Sequence, residues 1–334
     1  MFSRITVFVL FALIIFPTYA SSGTDKIVVY SARKEHLIKP LFDLYTANTG
    51  VKIEYITGKE GVLLERLKAE GKNTPADMLI TVDAGNLWHA AQEGVLQPTK
   101  SDILDSAIPS NLRDPAGNWF GLSVRARTIV YNTKKAKPSQ LSSYEDLASE
   151  KWKNKLVLRT SKKVYNQSLV ASLIAEHGEE QASRIVQGWV GNLAAAPFSN
   201  DTKALEAVAA GIGQVTVVNT YYFGRLMNKK PELPLAIFWP NQESGGVHMN
   251  VSGAGITKHA DNTEGAVKLL EWLAGVEAQA QFAALNMEFP VNTAVAPDPI
   301  VASWGTFKGS PLNVSVYGKF QTDAIKLMDR AGYK

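Results

Sequence analysis

Two α/β lobes, each built on a largely parallel sheet, are the fold class this sequence predicts, and three observations lead there. The chain has 334 residues, 46% of them hydrophobic, and a single core rarely grows past roughly 250–300 residues before a chain divides. Short apolar runs alternate with amphipathic stretches of helical period, the pattern of parallel sheets covered by helices. That pattern restarts in the middle of the chain. Charged residues make up 20% and Gly, Pro and Ser are dispersed, so no long segment has the composition of disorder or low complexity.

The first twenty residues carry one charge at Arg4, an apolar run from Ile5 to Phe16 and the ending Thr18-Tyr19-Ala20. This is the layout of a signal peptide cleaved after Ala20. The run is shorter than the ~20 residues a membrane span needs, and no later stretch reaches that length, so a soluble exported chain starting near Ser21 is expected. The absence of cysteine excludes disulfides, thiolate metal sites, Cys nucleophiles and a lipid-anchored terminal cysteine. A free exported protein is best retained in a periplasm.

In order, Ile27 to Tyr30 reads as a strand, and Glu35 to Thr46 as a helix with Leu37, Leu41, Phe42 and Tyr45 inward. Lys52 to Ile56 is a strand, Val62 to Glu70 a helix, Asp77 to Val82 a strand, and Asn86 to Glu93 a helix closed by Gly94. After a strand at Arg127 to Asn132, the pattern resumes with a strand at Leu156 to Arg159, a helix from about Tyr165 to His177 and a strand at Val215 to Val218. Val251 to Thr257 is a further strand, in which Gly253-Ala254-Gly255 suits close packing, followed by a helix at Ala266 to Leu273 and a helical end to the tail Val314 to Ala331.

The formal charge is +4, or +3 without Arg4, and the basic residues are spread along the chain. A nucleic-acid binder would be expected to concentrate them on one face; an anionic small ligand, or an anion bound beside a metal, fits as well. His89, His177, His248 and His259 have no paired metal spacing, which disfavours a zinc enzyme. No nucleophile elbow, phosphate loop or dinucleotide fingerprint is present.

Tyr221 and Tyr222 follow the Val-rich strand that ends at Asn219, at the carboxyl end where open α/β sheets place their ligand crevice. Tyr165 heads a helix whose inward faces are supplied by Leu169, Val170 and Leu173. Taken singly, each of these tyrosines reads as packing. Together with the segments YSARKEHLIKP, TVDAGNLWHA and GLSVRARTIVYN, the two stretches VYNQSLVASL and VVNTYYFGRL closely resemble the periplasmic ferric-iron-binding proteins over Ile27 to Lys334.

The resemblance implies a periplasmic-binding-protein fold of two lobes, with crossing hinge strands and a central cleft, that delivers Fe(III) to an inner-membrane ABC permease. It implies metal-binding roles for Tyr165, Tyr221 and Tyr222. The chemistry agrees: Fe(III) is a hard cation that favours anionic oxygen, and it displaces the proton of a coordinating acid. Three phenolates leave three octahedral positions, and Arg33 and Arg125 are expected to hold a carbonate-like anion there. Asp83, Arg127 and Asn200 are further candidates beside the site, while His36 stands two positions beyond where some relatives place a His ligand. Expected lobes are 21–126 with 252–300, and 127–251 with 301–334, in a monomer with no enzymatic activity. The alternative is the same fold loaded with a polyamine, thiamine or phosphonate.

Overall fold

A computed structural model describes residues 26–334; the expected signal peptide lies outside the described residues. The first unit runs β1 (Lys26–Ser31), α1 (Glu35–Thr49), β2 (Lys52–Thr57), α2 (Glu60–Glu70), β3 (Met78–Val82) and α3 (Ala84–Gln92), followed by α4 (Asp102–Ala107). Strand β1 pairs in parallel with both β2 and β3, as a βαβαβ unit requires. Leu37, Leu41, Phe42 and Tyr45 are buried on one side of α1, the face its apolar spacing assigns.

Strand β4 (Phe120–Asn132) then leads to β5 (Leu156–Val157), α5 (Val164–His177), α6 (Glu179–Gly191), α7 (Asp201–Ala209), β6 (Val215–Asn219), α8 (Thr220–Lys229) and β7 (Leu235–Phe238). The chain returns through β8 (Met249–Ile256), α9 (Thr263–Ala274), α10 (Val276–Ala284), β9 (Phe289–Pro290), α11 (Pro299–Ala302), α12 (Val316–Lys319) and α13 (Gln321–Arg330). Strand order is β2-β1-β3-β8-β4-β6-β5, with β7 and β9 each also on β4. Among the described residues no helix is long and apolar enough to cross a membrane.

The two lobes meet along β4. Its first half pairs antiparallel with β8 and β9, and from Arg127 onward it pairs with β6 and β7. All of its residues are buried, Gly121, Ser123, Arg125 and Arg127 as well as the apolar residues that alternate with them. The sequence reading marks only its second half, from Arg127, although the strand begins at Phe120. The expected strand at Leu156 to Arg159 keeps ladder pairing only at Leu156–Val157, and β7 and the helices α6, α7, α8 and α10 were not anticipated.

Gly253 and Gly255 hold β8 against the chain entering β4. A Cβ on Gly253 would stand 2.3 Å from the Phe120 carbonyl oxygen, and one on Gly255 would stand 2.4 Å from that of Asn118. These contacts are with backbone, which cannot step aside as a side chain can. Gly253→Ala is therefore expected to destabilise the fold by about 1–3 kcal/mol, the usual cost of overpacking. Denaturant unfolding with an unchanged slope and a lower midpoint would show it.

Candidate functional site

The sequence places Tyr165 and the pair Tyr221 and Tyr222 on different elements, and the fold brings those elements together. Strands β5 and β6 are parallel neighbours, so the helices that follow them both start at the same edge of the sheet. Tyr165 lies in the first turn of α5, and Tyr221 and Tyr222 in the first turn of α8. Helix starts favour negative charge. All three line one cavity of about 270 Å³. The facing wall comes from the first lobe: Arg33 and Lys34 after β1, Glu60 at the start of α2, and Asn286 and Glu288 before β9.

Tyr165 is 9% exposed and Tyr221 5%, and the rings of Tyr221 and Tyr222 lie 4.5 Å apart between centroids. Burial raises the phenol of Tyr165, opposed by the positive charge of Arg125. Tyr221 is pushed well above the ordinary phenol value, first by burial and then by the charges of Tyr165 and Tyr222. Both are neutral at pH 7 until something replaces their protons.

Cations crowd these rings. Arg225 lies 5.0 Å from the Tyr221 centroid and 4.9 Å from that of Tyr222. Arg125, Arg159 and Lys163 stand 5.5, 5.4 and 5.1 Å from that of Tyr165. The cavity wall carries Arg33, Lys34, Arg125, Lys163 and Arg225 against the carboxylates of Glu60 and Glu288. The excess is positive, which makes the cavity a place for anionic oxygen.

The two arginines expected to hold an anion are differently engaged. Arg33 donates through Nη2 to Glu288 at 2.9 Å and through Nη1 to Ser123 at 3.3 Å, and its guanidinium lies 4.5 Å from the Phe282 ring centroid. Arg125 donates through Nη1 to Ser252 at 3.1 Å. Its Nη2 is buried with no hydrogen-bond partner and is 3.8 Å from Asp83 Oδ2.

Asp83 does not line the cavity. It caps α3, accepting from the Gly85 amide at 2.9 Å, Ser168 Oγ at 2.8 Å and Asn250 Nδ2 at 3.0 Å, and burial raises its carboxyl pKa. Arg127 turns into the second lobe, donating to Asp201, Asn219, Asn166 and the Val217 carbonyl. Residues two apart on a strand share a face, so what separates it from Arg125 is the change of sheet partner between Ala126 and Arg127. Asn200 caps α7, accepting from the Lys203 amide at 2.9 Å, and lines a neighbouring groove with Tyr222. His36 is exposed on α1.

Sequence reading missed Lys34, Glu60, Lys163, Arg225, Asn286 and Glu288 as wall residues. Arg225 was within reach, since it follows Tyr221 and Tyr222 by four and three positions on one helix. Glu288 was not, because its partner Arg33 is 255 residues away.

The bacterial extracellular solute-binding protein family matches residues 73–308. The chain is 45% identical over 316 residues to iron uptake protein A1 of Synechocystis sp., covering 93% of this chain and 88% of that one. It superposes with a TM-score of 0.90, at 49% identity and over 92% of this chain and 100% of the other, on the Trichodesmium protein IdiA (FutA) in complex with iron and citrate ligands. The ferric iron-binding protein A of Mannheimia haemolytica in an open conformation gives 0.87 at 34% identity, over 93% and 99% of the two chains.

Behind the cavity, His248 sits where β8 meets β4, its ring tilted by 38° against that of Tyr317 at 4.5 Å between centroids and 3.2 Å from Ser172 Oγ. Burial, reinforced by the charges of Arg127 and Arg125, lowers its pKa from 6.5 to about 3. The unfolded chain therefore takes up a proton that folded His248 refuses. This contribution is absent above pH 6.5 and erodes stability as pH falls from 6.5 towards about 3. His248→Gln should flatten that part of the pH–stability curve measured by denaturant titration.

Proposed function

Because the chain belongs to the bacterial extracellular solute-binding protein family, we propose that it captures Fe(III) as cargo and delivers it to an ATP-driven permease. It is a transport component, not an enzyme. The observation that carries this reading is the convergence of Tyr165, Tyr221 and Tyr222 in one cavity whose wall is cationic. A site for an organic cation would set carboxylates beside aromatic faces; here guanidinium and ammonium groups occupy those places. The similarity to iron-uptake proteins over 93% of the chain supports the same cargo.

In this reading each tyrosine gives one phenolate oxygen to the iron. The metal loads first on the second lobe, which carries all three, and the first lobe closes over it by bending at β4 and β8. The exchange of strand partners between Ala126 and Arg127 supports lobes of 21–126 with 252–300 and 127–251 with 301–334. Lys163 and Glu60 at 3.3 Å, and Arg225 and Asn286 at 3.2 Å, join the two walls. The mature protein acts as a monomer in the periplasm after cleavage following Ala20.

The remaining coordination positions go to a carbonate-like anion held by Arg125 and Arg33. Arg125 is the stronger donor because its Nη2 is free of hydrogen bonds, whereas Arg33 is already tied to Glu288. A phosphonate is the second reading that the positive wall admits, but its binding would rest on the guanidinium groups and not on the phenol oxygens.

Tyr222→Phe should therefore remove most of the visible phenolate-to-iron band and weaken iron binding severely; a phosphonate carrier would be little affected. In the parent, the phenols of Tyr165 and Tyr221 are raised by burial, so binding must expel their protons and weaken in acid. The expected loss is about tenfold per pH unit for each proton released, measured by iron titration across about two units below neutrality.

Iron binding should also depend on an added anion. In bicarbonate-free buffer the parent should bind poorly and recover on addition of bicarbonate. Arg125→Ala should lose most of this recovery and Arg33→Ala less. Binding in the parent that ignores every added anion would contradict the assignment.

A further inference from the structure

Asn219 stands at the N-cap of α8, and its side chain is not used as an asparagine there ordinarily is. The side-chain oxygen of an N-cap residue accepts from an amide of the first helical turn; Asn219 makes no such bond. The residue is 2% exposed, and its amide is engaged on both sides by other groups. Oδ1 accepts from Arg127 Nη1 at 3.0 Å, and Nδ2 donates to the Tyr221 hydroxyl oxygen at 3.3 Å. Arg127 and Asn219 are directly opposed on β4 and β6, so their side chains project to the same face.

The amide can stand only one way round. A guanidinium carries donors and no acceptor, so turning the amide over would set Nδ2 against Arg127, donor to donor. Arg127 is itself fixed: Nη1 also donates to Asp201 Oδ2 at 3.2 Å, and Nη2 donates to Asn166 and to the Val217 carbonyl. The backbone amide of Asn219 donates to the same Asp201 oxygen at 3.2 Å. Nδ2 is thus aimed at Tyr221 by contacts on its far side. A phenol and a phenolate oxygen both accept such a bond, and the charged acceptor holds it more strongly. The contact therefore strengthens when Tyr221 exchanges its proton for a metal, and the guanidinium at the other end of the amide polarises it in the same sense.

We propose that Asn219 is a positioning residue for the cargo: it holds the Tyr221 oxygen by donating a hydrogen bond to it, and Arg127 acts on the metal through this amide. The inference rests on the tyrosine cavity being the iron site. Removing a group that orients a metal ligand typically weakens metal binding by about 10–100-fold, which sets the scale of the effect.

The whole mature protein is to be compared with two variants. Asn219→Ala removes both the donor and the tie to Arg127. Asn219→Asp keeps the shape and the tie but sets an acceptor against Tyr221, and it adds a carboxylate beside Arg127 and Arg159, which share Asp201. Denaturant unfolding without metal should therefore find Asn219→Asp at least as stable as Asn219→Ala. Iron affinity is measured by competition with a chelator in bicarbonate buffer, and the phenolate-to-iron band is recorded on the same samples. Asn219→Ala should bind iron about tenfold more weakly, with its band at longer wavelength, because a phenolate relieved of a hydrogen bond gives electron density to the metal more readily. Asn219→Asp should bind about a hundredfold more weakly and lose part of the band, although its fold is the better kept. A residue that merely supported the fold would give the opposite order. An unmoved band and affinity in Asn219→Ala, or tighter binding by Asn219→Asp than by Asn219→Ala, would overturn the proposal; if Asn219→Asp does not fold, the band of Asn219→Ala decides. A parent that develops no band with Fe(III) fails at the tyrosines and removes the iron reading itself, a result distinct from a parent band that the variants leave unchanged.

Discussion

One continuous strand must serve two sheets, and the rest of the molecule is arranged around that constraint. Strand β4 pairs with β8 as far as Ala126 and with β6 from Arg127, so it cannot slip in one lobe without disturbing the other. A shift of one residue would turn every side chain to the opposite face. The register Arg127↔Asn219 sets the end of β6, hence the start of α8 and the position of Tyr221 and Tyr222. The same strand carries Arg125 to the back of the cavity. Bending here can change the distance between lobes while leaving each binding wall intact.

A buried ion network holds the second wall in place. Asp201 Oδ2 accepts from Arg127 and Oδ1 from Arg159, each at 3.2 Å, and Oδ2 also accepts from the Asn219 amide at 3.2 Å. One carboxylate thus joins β4, the residues after β5, the start of α7 and the end of β6. Two arginines on one aspartate leave excess positive charge, which neutral oxygens of Asn166, Asn219 and Val217 stabilise for Arg127. Buried ion pairs often contribute little net stability; their value here is geometrical, because they fix the first turns that bear the tyrosines.

Much of this was legible in the sequence, and what was not has a physical reason. The units β1 to α3 and β5 to α5 showed because short apolar strands take turns along the chain with longer helical stretches, even where the strands, as in β3 and β5, are almost wholly buried. Strand β4 was read only from Arg127, since Gly121, Ser123 and Arg125 interrupt its apolar run although all three are buried. Tyr165, Tyr221 and Tyr222 were singled out through a resemblance, not through local spacing, and the fold gathers them into one cavity. The counter-wall was hidden because Glu60, Asn286 and Glu288 acquire meaning only when the lobes face each other. Arg33 was expected to be free for an anion, and its pairing with Glu288 depends on a contact that no local motif encodes.

In the function proposed here, the electrostatics of the cavity favour one class of cargo over cations in general. Burial keeps Tyr165 and Tyr221 protonated in the absence of metal, so the protein avoids storing their negative charges where hydration is poor. The surrounding arginines and lysines repel simple cations, and they also reduce the cost of forming each phenolate. A monovalent or weakly polarising ion gains too little from neutral phenols to displace their protons against that field. A trivalent hard ion gains enough, and by creating phenolates it turns the wall from repulsive to complementary. Selection in this reading follows from making the ligands' negative charge conditional on the cargo, with the cationic wall setting how much charge the cargo must bring.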